Sequence, residues 1–215
     1  MTQRITRWCL ALVLSLVATA ALAAAPEAGK DYVVLERPQS TVDPNVVELR
    51  EFFSYGCPHC STFEPRFKQW LKQAPVPVKL VQVPVVFHES WAPLAKAFYA
   101  AEALGMLDKL HRPLFDAIHV NNLKLRNDES VVDFFVQQGV ARDKAEEAMK
   151  SFHVDTNMRQ NKRLLRDYRI ESTPSVVVNG KYLVSPSGAG GQPRMLEVID
   201  ALVRQEHAAI AKQKQ

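Results

Sequence analysis

Two cysteines with two residues between them, Cys57-Pro58-His59-Cys60, constrain this chain more than any other feature. A disulfide across so short a span closes a very small ring. It removes little entropy from the unfolded chain, so it is a poor staple and invites a chemical explanation. The flanking residues place the pair. Val46 to Ser54 (Val-Val-Glu-Leu-Arg-Glu-Phe-Phe-Ser) is rich in β-branched and aromatic residues and predicts a central strand. After Gly56, the residues Phe63, Phe67, Trp70 and Leu71 recur at helical spacing. Pro58 suits a first helical turn, where its missing N–H has no intrahelical partner to lose. The pair therefore belongs at a strand-to-helix junction, on a helix N-terminus, where two Cα atoms three positions apart lie about 5–6 Å from each other, within disulfide range. Backbone N–H groups and the positive end of the helix dipole favour an anion there. This predicts a depressed pKa for Cys57, with Cys60 one turn further in as its buried partner. Pro58 and His59 are the expected tuners of the pair, His59 as a cationic neighbour.

The first 23 residues indicate where such a pair works. Arg4 and Arg7 form a positive start, Trp8 to Ala20 is apolar except for Ser15 and Thr19, and Ala21-Leu22-Ala23 is a small-residue cleavage site. This is the pattern of a secretory signal peptide, expected to be cut after Ala23. The apolar run is short for a spanning helix, which needs roughly 20 residues. The third cysteine, Cys9, falls inside it and is expected to be discarded. Export leads to an oxidising compartment, where disulfides persist. A structural zinc site usually needs four N/S ligands, and no second C-x-x-C or closely spaced His pair is present. No metal and no cofactor beyond the Cys57–Cys60 disulfide is expected. A reading from another class is a metal-binding or chaperone-like module using Cys57, Cys60 and His59. The net charge of +4 over 215 residues is mild. With no basic stripe interleaved with aromatics, nucleic acid is not an expected partner.

Strand and helix signals order the rest of the chain as β-β-α-β, a block of helices, then β-β-α. Asp31 to Glu36 and Val78 to Val86 predict further strands, and Pro65 predicts a kink in the first helix. Helices are expected from a Ser90 cap to Leu104, over about Leu107 to Asn121, after an Asn127 or Asp128 cap up to Gly139, and over about Arg142 to Ser151 and Asp155 to Tyr168. Ser175 to Val178 and Lys181 to Val184 flank Asn179-Gly180, a strong two-residue hairpin turn. Gln192 to about Lys212 predicts a final helix. A crossover between parallel strands needs only about a dozen residues, so most of the helical block is an insertion. The scattered histidines His88, His111, His119, His153 and His207 are read as surface or packing residues.

With these motifs in place, the chain resembles the DsbA family of periplasmic thiol:disulfide interchange proteins. The resemblance rests on Phe-Phe-Ser-Tyr-Gly-Cys-Pro-His-Cys (Phe52 to Cys60), on Ser-Thr-Pro-Ser-Val-Val-Val-Asn-Gly-Lys-Tyr (Ser172 to Tyr182), and on the helices between them. It implies an α/β, thioredoxin-like fold with an inserted all-helical domain. The expected division is a signal peptide at 1–23, thioredoxin-like parts at 24–88 and 170–215, and the insertion at 89–169. It implies that Cys57 and Cys60 are catalytic, donating their disulfide to exported proteins that are unfolded or still folding, and that a membrane partner of the DsbB type recharges them. A periplasmic reductase or isomerase is the alternative within the class. Thr173 and Pro174 match the family's substrate-binding loop, Pro174 as a cis-proline facing the disulfide. Thr173 stands where many members carry Val. Glu51 matches a buried acid that relays protons beneath the pair, with Gln82 where a Lys sometimes pairs with that acid. The 33 residues from Ala24 up to Cys57 leave no room for the dimerisation domain of the isomerases, and a monomer is expected.

Overall fold

The structure is a computed structural model and describes residues 25–214. The expected signal peptide and Cys9 lie outside the described residues. Five strands form one sheet in the order β1-β5-β4-β2-β3. At its centre is β2 (Val47–Phe53), every residue of which is buried. It pairs in parallel with β3 (Val78–Pro84), through the crossover helix α1 (Pro58–Lys72). On its other side it pairs antiparallel with β4 (Ser175–Val178), with Leu49 opposite Val178 and Phe52 opposite Ser175. The hairpin partner of β4 is β5 (Tyr182–Val184), whose outer edge takes the two-residue β1 (Val33–Val34). Asn179 and Gly180 turn the hairpin with φ of 49° and 67°, the left-handed pair that a tight hairpin requires.

Side chains alternate across a strand, and the two sheet faces are covered accordingly. Val47, Leu49, Val176 and Val178 pack with Phe63 and Phe67 of α1 and with Val198, Ile199 and Leu202 of the C-terminal helix α8 (Gln192–Gln213). Phe52 and Val177 face the other way, onto Tyr168 and Ile170. Between β3 and β4 come α2 (Ala92–Ala103), α3 (Leu107–His119), α4 (Asp128–Gln137), α5 (Arg142–Met149) and α6 (Phe152–Asp167). Their own core, with Phe98, Leu110, Leu114, Phe115 and Phe135, is continuous with Phe53, Tyr55, Cys57 and Cys60. The two cysteines thus sit on the seam where the sheet half meets the helices. This is the thioredoxin-like α/β fold with inserted helices.

Local chemistry explains most boundaries and several departures from the expected ones. Asn127 caps α4 and forms a reciprocal capping box with Ser130. Gly105 and Gly139 follow α2 and α4 with φ of 64° and 89°. Ser90 does not cap α2. It lies in a single 3₁₀ turn (Glu89–Trp91), and α2 starts after it with Pro93 in its first turn. The expected strand over Asp31 to Glu36 shrinks to two residues, because only Val33 and Val34 pair in register with β5, while Tyr32 makes an isolated bridge to Ala28. A short helix α7 (Pro186–Ala189), capped by Ser185, was not expected. Pro65, the residue expected to kink the first helix, lies inside a continuous α1. Its missing N–H leaves the Ser61 carbonyl without an intrahelical donor, and Arg112 Nη1 of α3 fills that role at 3.0 Å. The same guanidinium reaches Glu64 at 3.3 Å and Asp116 at 2.5 Å, tying the inserted helices to α1.

Candidate active site

Cys57 is the N-cap residue of α1, in extended conformation, and Pro58 occupies the first helical turn. The amides of Cys60 and Ser61 both point back at the Cys57 carbonyl, at 3.1 and 3.2 Å. Both cysteines are free thiols, so the geometry is that of the dithiol. Their environments differ sharply. Cys57 Sγ lies 3.5 Å from the Thr173 carbonyl, to which the protonated thiol donates. When Cys57 ionises, donors converge on it: the Cys60 thiol foremost, then the Thr173 hydroxyl and the backbone N–H groups of Cys60 and His59. They outweigh burial and draw its pKa down to about 5. Cys60 is 1% exposed. Burial, then its hydrogen bond to Cys57 and the charge there, push its thiol far above the ordinary range.

His59 contributes its backbone to the site. Its N–H serves the Cys57 thiolate, and its carbonyl accepts from Gln192 Nε2 at 2.8 Å and Thr62 Oγ1 at 3.0 Å. The exposed side chain is not among the groups that lower the Cys57 pKa. Sheet pairing carries Thr173 and Pro174, at the start of β4, against the N-terminus of α1, and the Thr173–Pro174 bond is cis. Ser175 Oγ donates to the Ser172 carbonyl at 2.9 Å and holds this loop. Beside it runs an open groove of about 560 Å³ between His59, Thr62, Ser172, Thr173, Pro186 and Gln192.

Glu51, on the same strand β2 that leads to the pair, is 3% exposed. Burial is the main cause that raises its carboxyl to about 7, opposed by a hydrogen bond from Gln82 Nε2 at 2.8 Å. Gln82 is the β3 residue directly opposite it in the parallel register. The charge of Glu64 adds to the rise. A cavity of about 200 Å³, lined among others by Glu51, Gln82, Glu64, Lys68 and His111, lies between α1, α3 and the sheet.

Two participants were not singled out by sequence reasoning. His111 is buried and polar-bonded rather than a surface or packing residue: Nδ1 is 2.7 Å from Tyr55 Oη and Nε2 is 3.3 Å from Gln82 Nε2. His119 Nε2 holds the Tyr55 carbonyl at 2.7 Å. A lone histidine in an amphipathic helix carries no local signal of such partners. The i, i+8 spacing of His111 and His119 was the available hint, since it places both on one face of α3.

The comparisons with known proteins agree with this geometry. Residues 48–200 match the family described as DSBA-like thioredoxin domain. A thiol:disulfide interchange protein DsbA from Burkholderia cepacia is 41% identical over 199 residues, 90% of this chain and 94% of that one. The DsbA of Pseudomonas aeruginosa is 36% identical over 198 residues, 92% of this chain and 94% of the relative. Its crystal structure superposes with a TM-score of 0.81, covering 87% of this chain and 97% of that one. The oxidoreductase DsbA from Xylella fastidiosa, 29% identical, gives 0.79 over 85% of this chain and 98% of that one. This chain belongs to the DsbA family: it is a thioredoxin-fold thiol:disulfide oxidoreductase whose redox group is a disulfide of its own rather than an added cofactor.

Proposed function

We propose that the protein donates the Cys57–Cys60 disulfide to exported proteins during their oxidative folding. The single observation that carries the direction is the asymmetry of the pair in the dithiol. Donors converge on Cys57 and favour its thiolate, whereas burial and the Cys57 charge hold Cys60 as a thiol. Stabilising the thiolate stabilises the reduced form, and each 1.4 kcal/mol of such stabilisation makes a two-electron disulfide about 30 mV more oxidising. A substrate thiolate attacks Cys57, whose loop and groove are open. The Cys57–Cys60 bond breaks, and Cys60 leaves and takes a proton. A second substrate thiolate then attacks the mixed disulfide. The substrate disulfide forms and Cys57 departs as the stabilised thiolate. Two electrons pass from substrate to the pair.

Further roles follow. Glu51 supplies the proton Cys60 needs: it is buried on the strand that leads to the pair, and a carboxyl poised near neutral pH can give and take protons. Pro58 starts α1 and the His59 N–H stabilises the thiolate, so both tune the pair. The backbone of Thr173 and Pro174 receives a substrate strand beside Cys57 by main-chain pairing, a mode that tolerates many sequences. We take 24–88 and 170–215 as the thioredoxin-like domain, 89–169 as the inserted helical domain and 1–23 as the export signal. The protein works in the periplasm and is recharged by a membrane oxidant of the DsbB type, in keeping with its family.

The deciding experiment equilibrates the protein with glutathione redox buffers and follows oxidation of a reduced, unfolded substrate. A potential well above that of the glutathione couple, with stoichiometric disulfide transfer, supports the donor reading. A potential at or below that couple overturns it in favour of a reductase.

A further inference from the structure

A chain of polar groups, buried except for the half-buried Gln82, joins the sheet to the inserted helices, and thiol–disulfide exchange as set out above makes no use of its far end. Glu51 Oε2 accepts from Gln82 Nε2 at 2.8 Å. The same nitrogen lies 3.3 Å from His111 Nε2, and His111 Nδ1 lies 2.7 Å from Tyr55 Oη. Tyr55 is two residues before Cys57 and fully buried. The chain therefore starts on β2, crosses β3, passes through α3 of the inserted helices and returns to the loop that carries the nucleophile. We propose that His111 is a positioning residue for thiol–disulfide exchange: it fixes the Gln82 amide so that its nitrogen faces Glu51, and thereby sets the proton affinity of that carboxyl. The proposal rests on the reading that Glu51 exchanges the Cys60 proton.

The count of donors and acceptors decides the arrangement. A side-chain amide has two N–H donors on one atom and a carbonyl on the other. With nitrogen inward, Gln82 donates one hydrogen to Glu51 and the other to His111 Nε2. The imidazole must then be the neutral tautomer with hydrogen on Nδ1, which donates to Tyr55 Oη. The reverse tautomer would set two donors against each other at Nε2, because a neutral imidazole accepts at one nitrogen only. Burial, together with the charges of Lys68 and Arg112, keeps His111 neutral by drawing its pKa down to about 4. Without an acceptor at His111 Nε2, the amide is free to flip and present its oxygen to Glu51. That oxygen accepts from the protonated carboxyl and favours it, whereas the nitrogen donates to the carboxylate and favours that form instead.

The cavity beside Glu51 faces Glu64 and Lys68 on α1 and Asp108 and His111 on α3. Arg112, also on α3, is engaged by Glu64 and Asp116. Glu64 raises the Glu51 carboxyl by its charge, and Gln82 is the hydrogen-bonding side chain that lowers it. The cavity, at about 200 Å³, is large enough for a few waters, each occupying about 30 Å³ in the liquid, and it gives the carboxyl a way to exchange its proton with solvent. The inserted helices thus reach Glu51 through one side chain of α3 and the Gln82 amide.

The test titrates Glu51 by carboxyl ¹³C NMR in the reduced full chain, and measures the pH profile for reduction of the oxidised protein by a peptide thiol. His111→Phe keeps the volume and removes the acceptor. It is expected to raise the Glu51 midpoint by about one unit, as loss of one hydrogen bond to a charged group allows, and to move the limb of the rate profile by the same amount. His111→Gln, whose carbonyl can accept from Gln82, is expected to restore both. Gln82→Leu, at a half-buried position, should reproduce the shift, and the double variant should add nothing. Gln82→Leu also serves as the reporter should His111→Phe fail to fold. An unmoved Glu51 midpoint, or additive shifts, overturns the positioning role. A Glu51→Gln variant separates the two readings. If it keeps the wild-type rate profile, the relay reading fails and the proposal with it, whatever happens to the midpoint.

Discussion

The mouth of the active site and the pocket around Glu51 use the same kinds of group to opposite ends. At the mouth, Cys57 has lost most of its water, yet it ionises readily because a thiol, a hydroxyl and two backbone N–H groups converge on it. In the neighbouring pocket, Glu51 is also buried but has one side-chain donor, and its carboxyl rises to about 7. Cys60 is buried with the Cys57 charge beside it, and its pKa is pushed far above the ordinary thiol range. Burial alone therefore sets no pKa here. The number of donors that can follow the group into the protein decides the sign.

The most direct way to break this comparison is to remove one sulfur at a time. Cys57→Ser is expected to abolish exchange with thiol substrates. Cys60→Ser should still react and then remain as a mixed disulfide through Cys57, visible on non-reducing gels after mixing with an oxidised model peptide. Equal behaviour of the two variants would mean that the asymmetry of their surroundings has no chemical consequence.

Removing one donor from the mouth sharpens the comparison. Thr173→Val deletes a hydroxyl that favours the thiolate. A hydrogen bond to a charged group contributes about 1.5–3 kcal/mol, so the Cys57 pKa should rise by about one to two units, read from thiolate absorbance against pH. An unshifted titration removes Thr173 from the thiolate's stabilisation.

The roof of the mouth is tested by Gly56→Ala. A Cβ at Gly56 would fall 2.5 Å from Trp91 Nε1, so the indole would have to move. Overpacking of this kind costs about 1–3 kcal/mol. The urea midpoint should fall in both redox forms, and retained midpoints would show that Trp91 yields freely.

The smallest effect is the stability difference between the redox forms. At pH 7 a thiol lowered from 9.0 to about 5 stabilises the folded dithiol by about 3 kcal/mol, at 1.36 kcal/mol for each unit below that pH. Closing the short Cys57–Cys60 loop stabilises the disulfide form by only about 2 kcal/mol on the chain-entropy estimate. The reduced form should therefore be the more stable by about 1 kcal/mol in parallel urea melts. The folded pKa is the depressed one, so the thiolate contribution is complete above the unfolded value of about 9. It is lost as pH falls through about 5, and the order of stability should reverse in acid. A more stable oxidised form at pH 7 would contradict this balance.

Much of the fold and of the site is legible in the amino-acid sequence. The junction of a β-branched strand, Gly56 and a proline-started helix locates the pair. Asn179-Gly180 marks the hairpin, and Asn127 marks the start of α4. The elements that were missed depend on partners. Val33 and Val34 form a strand only because β5 lies beside them. Ser90 is a good cap in isolation but falls in a 3₁₀ turn before α2. His111 carries nothing in its neighbours that reveals a role, since its partners lie 56 residues away at Tyr55 and 29 away at Gln82.

The sequence by itself determined which backbone states are cheap: where most of the longer helices lie, which strand faces are apolar, and that two thiols sit where N–H groups favour an anion. These choices are made within a few residues, by φ, by caps and by periodicity. The tertiary structure alone decided how far each group titrates and with whom. Thr173 meets Cys57 across 116 residues because β4 pairs with β2, and Glu51 meets Gln82 because β3 runs parallel in register. The shift of a pKa is set by lost water and by the donors that replace it, and both are supplied by segments distant in the chain.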